Sequence, residues 1–307
     1  MTASSESRRQ VLTYLLLVFA FSSVFYFLIL RTGKLASAGG LYVVGLMWCP
    51  ALAAFATLKL HHRSLRQLGW KWPQARYVAM SWYIPLLYAG IAYLIVWTTG
   101  LGGFPNHDFI QHFAVSPRLH MPPVVATILY VIVIGILEVV FGMAASLGEE
   151  IGWRGFLVPE LSKTMGFTAT ALTSGIVWAV WHFPILIWGD YNAGTPTWYS
   201  LPCFTIMVVE AAFIFAWVRL KSGSLWTATM LHASHNIYIQ EIFTPLTKNT
   251  GKTAWFIDEF GAVLPIVLLF FAIYFWRRRG ELPQNSIADQ KTSAALSPVT
   301  ANAGGAQ

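Results

Sequence analysis

Eight stretches of this chain, 11–30, 41–60, 78–99, 124–148, 168–188, 201–219, 225–243 and 260–276, are each apolar over roughly twenty residues. No other feature limits the fold so strongly. A helix rises about 1.5 Å per residue, so a run of about 20 residues crosses about 30 Å of hydrocarbon. Lipid offers the backbone no hydrogen-bond partners, so such runs must be helices and not open strands. The expected fold is therefore all-α: a polytopic integral membrane bundle of about eight transmembrane helices. Composition agrees, since 56% of the residues are hydrophobic and only 11% charged, against about 25% charged in soluble domains.

The net charge of +7 does not point to nucleic acid, because the basic residues lie in short loops between apolar runs, where they set topology. With the N-terminus inside, the inner segments carry fifteen Lys and Arg and the outer ones only five: Arg31, Lys34, Arg118, Lys248 and Lys252. The bias predicts both termini in the cytoplasm and an even number of spans. The first run is longer than the core of a signal peptide, and Arg31 and Lys34 separate it from the cleavage-like Ala36-Ser37-Ala38; it is read as a retained helix. The expected organisation is a cytoplasmic start (1–10), N-terminal helices (11–123), a catalytic helical core (124–243), an outer loop with the last helix (244–279), and a disordered cytoplasmic tail (280–307). Cys49 and Cys203 both lie in apolar runs and suggest neither a disulfide framework nor a thiolate metal site.

Ionisable residues inside spans are functional candidates, and here they are few. They are Glu138, Glu149 and Glu150 on the fourth run, His182 on the fifth, Glu210 on the sixth, and His232 and His235, with the amide Asn236, on the seventh. Glu150 and Arg154 are four apart and share a helix face. Glu149 is turned about 100° away, so one carboxylate pairs with the arginine and the other stays available as a base. Trp178 and His182 are also four apart, which lets the indole pack on the imidazole. His232 and Asn236 share a face as two possible donors to an oxyanion, and His235 reaches part of it. Glu138, eleven residues before Glu149, returns to the same face deeper in the membrane and is expected to line the same cavity. Glu210 has no sequence partner and no assigned role. His107, Asp108, His112 and His120 in the loop 100–123 are read as solvated. Ser146 and Ser234 lack the setting of a nucleophile.

The ordered set Glu149-Glu150-x-x-x-Arg154, Trp178-x-x-x-His182 and His232-x-x-x-Asn236 resembles the CPBP family of intramembrane proteases. That family includes the CAAX prenyl proteases of the Ras-converting type and bacteriocin-processing or immunity proteins. Trp178 departs from the phenylalanine common at that position. The resemblance implies a helical bundle whose hydrophilic cavity opens to the cytoplasm. In it Glu149 and His182 activate water, Glu150 is held by Arg154, and His232 with Asn236 forms the oxyanion side. The implied reaction is hydrolysis of a peptide bond in a membrane-associated protein or peptide, CAAX processing included, without a cofactor. A zinc-dependent reading uses His182, His232 and Glu149 as ligands. A non-proteolytic scaffold, immunity protein or carrier is the reading from another class. A bacterial inner membrane is the expected location.

Overall fold

A computed structural model of the chain describes residues 3–114 and 122–283. Among these residues nine helices follow in chain order: α1 (Ala3–Thr32), α2 (Leu41–Leu60), α3 (Ala75–Thr98), a short α4 (His107–Ala114), α5 (Pro123–Ser162), α6 (Phe167–Trp188), α7 (Thr197–Ser222), α8 (225–246) and α9 (Val263–Arg277). No strand occurs among the described residues, and six helices are long and apolar enough to cross a membrane. The protein is an all-helical integral membrane bundle.

The two runs that fall outside those six do so for different reasons. Helix α8 carries His232, Ser234, His235, Asn236 and Gln240, yet its residues 227–235 are all buried within the bundle. A helix that meets protein on every side does not need an apolar surface. Helix α9 has only 15 residues, and a 3-10 turn, Arg278–Glu281, follows it. Most of the tail expected to be disordered, 284–307, lies outside the described residues, as does His120. His107 and Asp108 are exposed, as expected, but on helix α4 instead of in an irregular loop.

Helix α5 runs past the apolar stretch 124–148. Residues 150–163 read from the sequence as a short amphipathic helical extension or an interfacial turn; they form the extension, and one helix of 40 residues runs through to Ser162. It contains two π-helical segments, Ile134–Glu138 and Ile151–Leu157. Pro159 stands just past the second of them, where the preceding Val158 N–H already bonds five residues back to the Trp153 oxygen and the regular i→i−4 ladder is interrupted.

Helix α5 packs against α2 and α8, α1 against α2, and α6 against α7. The contact with α2 depends on Gly148 and Gly152. A Cβ on Gly148 would stand 2.7 Å from the Met47 carbonyl oxygen, and one on Gly152 would stand 2.7 Å from the Pro50 carbonyl carbon. Small residues four apart let the two backbones approach this closely. The adjacent Glu149 and Glu150 are thereby carried into the interior, where both are buried.

Candidate active site

The polar side chains of the site come from three helices, α5, α6 and α8. Glu150 is fully buried, and its Oε1 accepts from Arg154 Nη1 at 2.8 Å and is also 2.9 Å from His232 Nδ1. One carboxylate oxygen thus ties the first motif to the third. The Arg154 guanidinium lies over the rings of Trp178 and Phe215, 4.0 and 4.4 Å from their centroids. Its Nε and Nη2 have no hydrogen-bond partner, so the aromatic faces take up part of the buried charge.

Glu149 is free of any cation but not of partners. Its Oε2 accepts from Trp178 Nε1 at 2.9 Å and from Trp153 Nε1 at 3.3 Å. Both indoles use the same oxygen, which leaves Oε1 for another donor. Trp178 thus orients Glu149 directly; a phenylalanine there has no N–H to give. The expected packing of Trp178 on His182 also occurs, at 6.1 Å between ring centroids.

His182 Nδ1 lies 2.9 Å from the backbone oxygen of Trp178. A carbonyl can only accept, so Nδ1 carries the proton and Nε2 of the neutral ring keeps its lone pair. The same reasoning applies to His232. Nδ1 donates to Glu150, so Nε2 becomes a donor only when the ring is an imidazolium. Asn236, one turn further along α8, lies where a third π-helical segment begins, Ile237–Phe243. Such segments often accompany functional sites.

A cavity of about 160 Å³ joins these groups. Glu149, Trp178, His182, His232, His235 and Asn236 all line it, together with Tyr191 and Glu259. Around its deep end Glu149, Phe215 and His232 are buried. Around the other end Leu35, Val43, Met47, Tyr191, Asn236 and Gln240 are partly exposed. Those residues belong to, or stand next to, the loops that the charge count puts outside. Outward loops and a cytoplasmic mouth cannot both hold in this fold: with both termini inside, the cavity faces the outer side.

Glu138 does not belong to the site. It is exposed, although it lies close to the angle of Glu149 around the helix. At the level of Glu149, α6 covers that edge of α5, through Trp178; at the level of Glu138 the edge is bare. Glu210 is buried with Oε2 unpartnered and does not line this cavity.

Two lining residues carry no signal strong enough to be found from sequence. Glu259 follows Asp258 in the segment before α9, and Tyr191 sits in the loop after α6. Glu259 Oε2 accepts from Tyr191 at 2.7 Å, and Oε1 is 3.1 Å from His235 Nε2. Burial alone would raise the Glu259 carboxyl, but bonds from His235, Tyr191 and Gln240 outweigh it and hold it down at about 2. Beside it, burial and the charge of Glu259 push Asp258 up to about 6. An acidic pair directly before the apolar run 260–276 was the only hint in the sequence.

Among the described residues, no three His, Cys, Asp or Glu side chains are grouped so as to hold a metal ion. His182, His232 and Glu149 share the cavity without forming such a group.

Residues 120–238 match the family described as type II CAAX prenyl endopeptidase, Rce1-like. A protein of Methanococcus maripaludis named CAAX prenyl protease 2 is 28% identical over 102 residues, which is 31% of this chain and 36% of that relative. The match therefore spans about a third of the length of the curated relative. All seven motif residues, from Glu149 to Asn236, fall within 120–238, the segment that is similar to the Rce1-like type II CAAX prenyl endopeptidases.

Proposed function

We propose that the protein is an intramembrane endopeptidase that hydrolyses a peptide bond with water activated by Glu149. The observation that carries the reading is the division of labour between two adjacent carboxylates. Glu150 is neutralised by Arg154 and holds His232. Glu149 meets no cation and is aimed into the cavity by two indoles through one oxygen.

In this reading a water bridges Glu149 Oε1 and His182 Nε2. Glu149 takes one proton as the oxygen attacks the carbonyl carbon. The oxyanion is met by the Asn236 amide and by His232 as imidazolium; one such donor is worth about 2.7–4 kcal/mol. The C–N bond then breaks, and the proton held by Glu149 passes to the leaving amine. The second water proton passes from the new carboxyl group to the amine, so the products are a carboxylate and an ammonium, and Glu149 is again ionised. Neither a covalent intermediate nor a cofactor is required. The matched family suggests C-terminal CAAX processing as the finer substrate reading. The location we propose is a bacterial inner membrane.

The test is cleavage of a membrane-anchored fluorogenic peptide library by the purified chain, with Glu149→Gln beside it and a strong chelator in parallel. The library includes both C-terminal and internal scissile bonds. Cleavage lost in the variant and retained under chelation is the expected result. Activity abolished by chelation and restored by zinc moves His182 and His232 to ligand roles. A folded wild type that cleaves nothing in the library returns the site to a scaffold or carrier.

A further inference from the structure

The imidazole of His182 is boxed in by more than its own helix. Its Nδ1 is fixed by the Trp178 carbonyl. Trp181 and Phe204 meet the ring edge-on at 4.8 and 5.0 Å. The ring of Tyr191 lies nearly parallel to it, 6.1 Å away at 24°, within the usual range for offset stacking. Tyr191 comes from the loop between α6 and α7, and its only polar anchor among the described residues is the bond to Glu259 Oε2.

Glu259 is itself well held. It is 4% exposed, and its backbone N–H donates to Asp258 Oδ1 at 2.7 Å. The Asp258 N–H in turn donates to the Tyr93 hydroxyl at 3.1 Å. His235 Nδ1 lies 2.6 Å from the Tyr88 hydroxyl. The Tyr88 hydroxyl is buried and has no other acceptor among the described residues, so it donates to Nδ1. Nε2 then carries the proton of a neutral ring and donates to Glu259 Oε1. Tyr191 and His235 therefore converge on the carboxylate, one per oxygen, with the Gln240 side chain as a third donor. A glutamine offers a single acceptor oxygen and can satisfy only one of them.

We propose that Glu259 is a positioning residue for His182: acting through Tyr191, it holds the imidazole with Nε2 toward the cavity. The inference rests on His182 being the water-orienting group of a hydrolase. It gives the segment between α8 and α9 a task in the site that the three motifs do not reveal. It also accounts for His235, which stands on the motif-bearing helix but turns to Tyr88 and Glu259.

The experiment compares Tyr191→Phe, Glu259→Gln and the double variant with wild type. kcat and KM are read on the cleaved peptide, and the His182 imidazole signals by ¹⁵N NMR of histidine-labelled protein. Loss of placement by a fraction of an ångström to 1 Å predicts a fall in kcat of about ten- to a hundredfold with KM little changed. The double variant is expected to be no worse than the more impaired single one, since both break the same bond. Tyr191→Phe removes one hydroxyl and leaves Glu259 and His235 in place, so it stays informative if Glu259→Gln folds poorly. Unmoved His182 signals in Tyr191→Phe, or an unchanged kcat, overturn the proposal. A wild type without Glu149-dependent cleavage refutes the hydrolase reading alone; the NMR comparison still decides whether Glu259 holds His182.

Discussion

The close approach of α5 to α2 gives the most direct test of how the fold places Glu149. In Gly148→Ala the new Cβ would stand 2.7 Å from the Met47 carbonyl oxygen and 2.8 Å from the Trp48 ring, where ordinary contact begins at 3.4 Å. The backbones must therefore separate by about 0.7 Å at that point. Overpacking of this kind costs about 1–3 kcal/mol, which lowers the unfolding midpoint by roughly 2–12 °C at about 2–4 °C per kcal/mol. Glu149 is the next residue, so its carboxylate moves with the helix. A shift of that size lowers turnover by up to about 100-fold. Thermal unfolding in detergent reads the first effect and peptide cleavage the second. Gly280→Ala is the control, since the residue is exposed and a Cβ there meets nothing within 4 Å; its midpoint is expected to change by less than about 2 °C. A Gly148→Ala protein with the wild-type midpoint would refute the argument that these glycines set the distance between α5 and α2.

Other outcomes follow from the same geometry. Glu150→Gln leaves Arg154 buried without its counter-ion and is expected to cost about 3–5 kcal/mol, whereas Glu149→Gln removes no ion pair and should unfold near the wild-type midpoint; comparing the two melting curves checks this. The acidic pair before α9 makes opposite contributions to stability across pH. Asp258, raised to about 6, binds its proton more tightly when folded, so its contribution is present below about pH 4 and lost as pH rises through 6. Glu259, held at about 2, contributes fully above about pH 4.5 and loses that contribution as pH falls toward 2. Asp258→Asn should therefore flatten the pH dependence of the unfolding midpoint between about 4 and 6 while leaving the acid limb. Finally, a cysteine at Leu35, with Cys49 and Cys203 replaced, should react from outside intact cells with an impermeant thiol reagent, and peptide bound in the cavity should slow the reaction; labelling only in inverted vesicles would reverse the orientation read from the charges.

The sequence alone determined that the chain crosses the membrane as helices, because a backbone in lipid must bond to itself. It also marked which turns hold the ionisable groups, because such groups in apolar runs are few and a spacing of four puts them on one face. Glu150 with Arg154 was legible for that reason, and so were the three segments that hold His182, His232 and Asn236. Helical spacing says nothing about what stands opposite a face. The environment of Glu138 was misread because its angle on α5 matches that of Glu149, while only Glu149 has α6 over it. The indoles on Glu149, the bond from His232 to Glu150 and the direction of the cavity mouth all depend on which helices pack together. Glu259 and Tyr191 stand 68 residues apart in connecting segments with no periodicity, so only the tertiary structure could bring them together beside His182.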